Sequence, residues 1–321
     1  MKDDAMKPGD NITCRVIEPE GDGYSVTLMK DDMPGLILSS PAPLSAGDEV
    51  SSRFLCLRNG RALLAMRCSR GPSMPVSPSD ESEDITESSR AQRLHLRRAS
   101  DLIPPAFTPE HEKRFDLTKS SFRDLIKNLE DSKQTGCLKT SSSEWLSRAV
   151  LLLYQGRVVG SIYSCKGMAR SQPVVDSLRL TLADLDCPST DVTVYDLPAS
   201  VILPLSALFF GSRVQRTERK EPKAYFKQIA DWCKTKSVTG CCVITLPLTT
   251  TTCLVFIHEG DLIGVHHVER QIYTRDRAYA EELLTNDPAA DLALTVLPKE
   301  LLDWSEPFGV SLASAIDEAT K

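Results

Sequence analysis

Apolar and polar positions follow two rhythms along the chain. Between residues 9 and 67 short alternating runs (12–17, 24–28, 35–38, 49–57 and 62–67) are broken by Gly21-Asp22-Gly23, Gly47-Asp48 and Asn59-Gly60. Alternation is the signature of half-buried strands, and Asn-Gly between two such runs is a strong hairpin signal. Five short strands in this space predict a small closed or partly open barrel. From residue 113 onward helical and strand periods alternate, and the pattern is written twice. Thr135-Gly136-Cys137 recurs as Thr239-Gly240-Cys241, and the stretch from Gly156 to Gly160 recurs from Gly260 to Gly264, each 104 residues later. An amphipathic helix precedes each copy, with Phe122, Leu125, Ile126 and Leu129 in the first and Phe226, Ile229, Ala230 and Cys233 in the second. Three strands follow, then a helix (174–185, 275–284), a strand running into Leu197-Pro198 or Leu297-Pro298, and an apolar helix (201–210, 300–308). A repeat of this length implies a duplicated structural unit.

Residues 69–112 break both rhythms. Pro72, Pro75 and Pro78 lead into an acidic block at 80–87 and then into Arg90, Arg93, Arg97 and Arg98. A stretch with so little apolar content cannot offset its chain entropy, which predicts a disordered linker. The expected fold is α+β: a five-stranded β-barrel at 1–68, the linker at 69–112, and two tandem α/β modules at 113–212 and 213–321.

Composition narrows the function. The net charge of −6 and pI near 5.5 argue against a broad DNA-binding surface. Ten cysteines scattered through apolar runs, without paired Cys-x-x-Cys spacing, read as reduced thiols in a cytoplasmic protein. No apolar stretch follows the N-terminus, so no signal peptide is expected. The most apolar window, 201–210, contains Pro204 and is about half the ~20 residues a membrane span needs.

Within the first segment, Gly9-Asp10 before Arg15-Val16, Gly23-Tyr24-Ser25-Val26, Gly35-Leu36-Ile37, Gly47-Asp48-Glu49-Val50 and Gly60-Arg61-Ala62-Leu63-Leu64 resemble the S1-type OB fold. The resemblance implies that Tyr24 stacks on a nucleobase with Arg53 and Phe54 beside it, making single-stranded RNA a second candidate ligand. The segment departs from that pattern in its acidity, with Asp22, Asp31, Asp32, Asp48 and Glu49 crowded together. The duplicated region resembles the uncharacterised N-terminal domain of PatA-like two-component regulators. It shares the helix leading into Thr135-Gly136 or Thr239-Gly240 and the later turn beginning at Gly156 or Gly260. That resemblance implies a regulatory adaptor rather than an enzyme; the alanine usual at the fifth turn position is Gly160 or Gly264 here.

Candidate chemistry agrees with a non-catalytic reading. No phosphate-binding glycine loop, paired-carboxylate signature or nucleophile with a local base is present, so no cofactor is expected. His258, His266 and His267 lie near a predicted hairpin, but neighbouring strand residues face opposite ways, and no metal site is expected. Trp145, in a Ser-rich turn, is a candidate anchor for a protein partner, together with Gly156, Arg157, Gly260 and Asp261 at the repeated turns. Arg97-Arg98-Ala99-Ser100 has the form a basophilic kinase accepts, which makes Ser100 a candidate phosphorylation site.

Overall fold

The computed structural model describes residues 6, 10–20, 23–37, 44–58, 60–66, 99–107, 112–118, 121–165, 174–214, 221–302, 308–313 and 315. Most of the predicted linker, 69–98 and 108–111, lies outside them. The N-terminal strands are β1 (Asn11–Glu20), β2 (Gly23–Leu28), β3 (Pro34–Ile37), β4 (Glu49–Arg58) and β5 (Arg61–Met66). They close in the order β1-β2-β3-β5-β4, every pair antiparallel except β3 with β5. This is the OB arrangement of a five-stranded barrel. Alternation puts Val16, Val26, Leu28, Ile37, Phe54 and Leu64 inside it. Leu36 and Leu63, opposite one another on β3 and β5, instead join the core of the following modules.

Residues 99–107, assigned to the linker by their neighbours' composition, are ordered. Ala99–Leu102 form a one-turn 3-10 helix, Ile103 is fully buried, and Phe107 stacks on Tyr273 with centroids 4.3 Å apart. The Asp101 carbonyl accepts from Nε2 of His266 (3.0 Å) and of Gln271 (2.6 Å), while the Pro104 carbonyl accepts from the Tyr195 hydroxyl (2.8 Å). Leu102, Ile103 and Phe107 supply the apolar surface that the rest of the linker lacks. The segment therefore ties both modules together.

The first module contains β6 (Lys113–Phe115), α1 (Phe122–Asp131), β7 (Gly136–Ser142), β8 (Ser147–Tyr154), β9 (Arg157–Cys165), α2 (Val174–Leu185), β10 (Thr190–Asp196) and α3 (Ala199–Phe210). The second contains β11 (Ser212–Arg213), α4 (Pro222–Lys236), β12 (Gly240–Leu246), β13 (Thr251–His258), β14 (Asp261–His267), β15 (Ile272–Thr274), α5 (Ala278–Asn286), β16 (Asp291–Val296) and α6 (Lys299–Leu302). A final strand, β17 (Val310–Ser311), returns to the first module. The sheet orders are β17-β9-β8-β7-β10-β6 and β11-β16-β12-β13-β14-β15. Their inner strands correspond one for one, as the repeat requires.

Between the sheets lies α3. Its residues Val201, Ile202, Leu205, Ala207 and Phe210 are all buried, so the helix is apolar around its circumference and needs a protein surface on every side. It packs on β8 and β9 of its own module and on β12, β13 and β16 of the next. Cys241, Leu254 and Phe256 consequently belong to the same core as Val150, Leu152 and Val159. The opposite face of the second sheet, with Cys242, Val255 and Ile257, forms a separate core against α4 and α5. Phe308 meets Phe210 and Tyr154, so the tail of the second module also packs on the first.

Candidate partner-binding surfaces

The repeated marks perform structural work. Thr135 Oγ1 accepts the N–H of Gln155, and Thr239 Oγ1 that of Glu259, each at 3.0 Å. Gln155-Gly156 and Glu259-Gly260 both have two consecutive positive φ angles, the conformation of a type I′ hairpin, which explains the glycine. The strand after each turn is bulged at its third residue, Val159 or Ile263: Leu152 pairs with Gly160 and Leu153 with Val158, just as Phe256 pairs with Gly264 and Ile257 with Leu262. An aromatic ring then rests on the bare glycine. A Cβ on Gly160 would lie 2.7 Å from the Phe209 ring, and one on Gly264 would lie 2.4 Å from the Tyr273 hydroxyl. Gly156 and Gly260 are therefore hairpin residues before they are contact residues. Arg157 donates to the Gly309 carbonyl (3.4 Å), and Asp261 faces Arg277 at 3.9 Å.

Trp145 stands at the tip of the β7–β8 hairpin with Leu146, the two side chains 57% and 60% exposed. Polar contacts hold this tip from several directions. The Trp145 N–H donates to Ser142 Oγ (3.3 Å), the Ser147 hydroxyl donates to the buried Asp184 carboxylate, and the Cys187 thiol contacts Glu144 Oε2 at 2.8 Å. Asp184 also accepts from the Tyr163 hydroxyl (3.0 Å), whose pKa burial pushes up to about 12. The Ser147, Tyr163 and Asp184 cluster is closed to solvent, which makes it a brace for the hairpin rather than a nucleophile site. The corresponding hairpin of the second module carries Leu248, 68% exposed, its N–H held by Asp287 Oδ2 at 2.9 Å. The sequence reading missed Leu146 and Leu248 because an isolated leucine in a turn has no periodicity to mark it.

A second surface lies between α4 and β14. A cavity of about 280 Å³ opens there over Phe226, Ile229, Ala230, Cys233, Ile257 and Leu262, with Gly260 and Asp261 on its rim. The aligned repeat shows why it is here. Ala230 and Cys233 stand where the first module has the buried Ile126 and Leu129.

Of the aromatic pair implied by the S1 resemblance, Tyr24 is half-buried and Phe54 does not reach the barrel surface. Phe54 is 2% exposed in the barrel core and cannot stack on a base without unfolding it, which corrects its assignment as a surface contact. Tyr24 shares the inward parity of Val26 and Leu28, packs on that core, and accepts the Leu44 N–H through its hydroxyl at 3.0 Å. Arg53 lies on β4 opposite Asn11. Among the described cations nearby, Arg61 makes a double contact with Glu20 (2.9 and 2.7 Å) and Arg15 meets Glu49 at 3.1 Å.

His266 and His267, both buried, face opposite sides of β14, and His258 sits at the strand end beyond Ile257. His266 points between the modules, where burial and the nearby Lys139 ammonium lower its pKa. Burial raises the thiol pKa of Cys137 to about 11, of Cys233 and Cys253 to about 12, and of Cys241 well above the ordinary value. Protonated, enclosed thiols are poor nucleophiles. Ser100 lies in the 3-10 turn beside the bound Asp101 carbonyl, not in a free linker.

No protein-family profile matches the chain, and no curated protein does. Among solved structures, GSP13 from Bacillus subtilis shares 21% identity over 25% of this chain and 72% of its own, with a TM-score of 0.19. The beta clamp of Helicobacter pylori bound to a DNA ligase peptide shares 11% over 92% of this chain and 93% of its own, at 0.14. The DNA polymerase sliding clamp of Caulobacter crescentus shares 14% over 93% of each chain, at 0.09. The assignment of the barrel as OB-like rests on its strand order, not on these likenesses.

Proposed function

We propose that this chain is a non-catalytic, cytoplasmic regulatory adaptor whose tandem modules bind protein partners. The observation that carries the reading is the β7–β8 tip, where an exposed tryptophan and leucine sit on a turn braced by Ser142, Ser147 and Asp184. An aromatic anchor held in place before binding loses little freedom on association, and tryptophan is enriched among residues that dominate interface energy. Among the described residues no helix is long and apolar enough to cross a membrane.

The test uses the full chain to capture a partner from native lysate with and without nuclease, followed by affinity measurement on the purified partner. Trp145→Ala is expected to weaken binding about 30-fold or more, the effect of losing an anchor worth ~2 kcal/mol, with circular dichroism unchanged. Equal affinities for the two proteins would overturn the reading. Capture that vanishes with nuclease, together with RNA retention abolished by Tyr24→Ala, would favour the single-stranded RNA alternative instead.

A further inference from the structure

The first module shows how this fold uses the place that is open in the second. There the C-terminal segment adds to the edge of β9, Val310 opposite Val158 and Ser311 opposite Arg157. Leu312 is fully buried in the core beneath it. Glu130, in the last turn of α1, fixes the segment by accepting the Ser311 hydroxyl (2.8 Å) and the Ala313 N–H (2.7 Å). In the second module the equivalent edge is Asp261 and Leu262. β15 pairs only with Val265 to His267, at the other end of β14, so among the described residues no strand covers this half. The cavity over Ala230 and Cys233 adjoins that edge, at the site where module one takes up its strand.

From this correspondence we infer that the groove between α4 and the outer half of β14 docks an extended peptide of a partner protein, bearing an apolar side chain with a carboxylate beside it. The backbone edge supplies strand addition, and the cavity supplies a pocket for one side chain, the two elements of β-augmentation. The carboxylate follows from Lys234, which occupies the position of Glu130. A carboxylate reads hydroxyl and N–H donors; an ammonium reads an acceptor. The rim as a whole is neutral, with Lys227, Lys234 and Arg277 against Asp231, Asp261 and Glu281, so the position of Lys234 rather than net charge sets the preference. The inference goes beyond the partner-binding reading by naming the ligand class, and it is separable because Trp145 belongs to the other module.

Two labelled synthetic peptides copying residues 306–315 test it by fluorescence anisotropy on the full chain, one unchanged and one carrying Ser311→Glu. The wild-type protein is expected to bind the glutamate peptide about tenfold more tightly, a difference of ~1.4 kcal/mol. Lys234→Glu is expected to reverse that order. Ala230→Ile, which installs the residue of the first module, is expected to abolish binding of both without changing circular dichroism, while Trp145→Ala leaves both unchanged. Absence of binding at about 1 mM, or an order unaffected by Lys234→Glu, overturns the inference. A wild-type preference for the unchanged peptide overturns it in favour of a second copy's tail. Binding seen only after the acidic block at 80–87 is replaced by Gly-Ser overturns it in favour of the chain's own segment.

Discussion

Thr135 and Thr239 do one job in two places, and the glycines that follow show why the sequence repeats. A Cβ on Gly136 would approach the Tyr195 carbonyl to 2.2 Å, and one on Gly240 the Thr295 carbonyl to 2.4 Å. A Cβ on Gly156 would lie 2.6 Å from the Glu130 carbonyl, with φ already at +80°. Gly156→Ala and Gly260→Ala are each expected to cost about 1–3 kcal/mol in denaturant unfolding, because both the conformation and the space exclude a side chain. The glycine spacing was legible in the sequence; its reason was not, since the crowding groups on Tyr195 and Thr295 lie some sixty residues further along the chain. His266 gives a prediction at the same scale. Its folded pKa is lowered, chiefly by burial, so below the unfolded value near 6.5 the unfolded state binds more protons than the folded one. Stability is therefore expected to be full above about pH 6.5 and to fall as pH drops below it, with a flatter acid limb in His266→Gln measured by thermal melts.

Elements with a sustained period were readable, and those without one were not. The four long strands and the amphipathic helix of each module follow from alternation and from helical spacing, and α3 was marked by its unbroken apolar run. The short strands β6, β11, β15 and β17 have only two or three residues each, too few to show a period of two. The turn at Ala99–Leu102 was hidden by the charged residues before it. What the run in α3 could not reveal is that its two sides belong to different sheets. Leu205, fully buried in this helix, is expected on mutation to alanine to destabilise the chain by about 2–5 kcal/mol. Hydrogen exchange is expected to show faster opening in both β8 and β13, since each packs on the helix; an effect confined to β8 would contradict the shared-core description.

On the scale of the whole molecule, duplication has produced units that finish one another. The second sheet covers Cys241, Leu254 and Phe256 with α3 from the first module, while the first receives β17 and Phe308 from beyond the second. The 99–107 segment adds a further tie through Asp101 and Pro104. Each unit alone would therefore leave a large apolar face in water, a cost that scales with exposed area and that a small domain has little stability to absorb. Residues 99–214 and 215–321 expressed separately are expected to bind the dye ANS and lack near-ultraviolet circular dichroism, whereas mixing or co-expressing them restores both native signals. A separate 215–321 fragment that unfolds cooperatively with fixed tertiary signals would show that α3 is a neighbour of the second module rather than part of its core. The same dependence would give the proposed binding surfaces a physical route for coupling: a partner that pulls on the β7–β8 hairpin acts on a sheet that packs through α3 on the second sheet, and linkage requires that any resulting change in affinity be reciprocal.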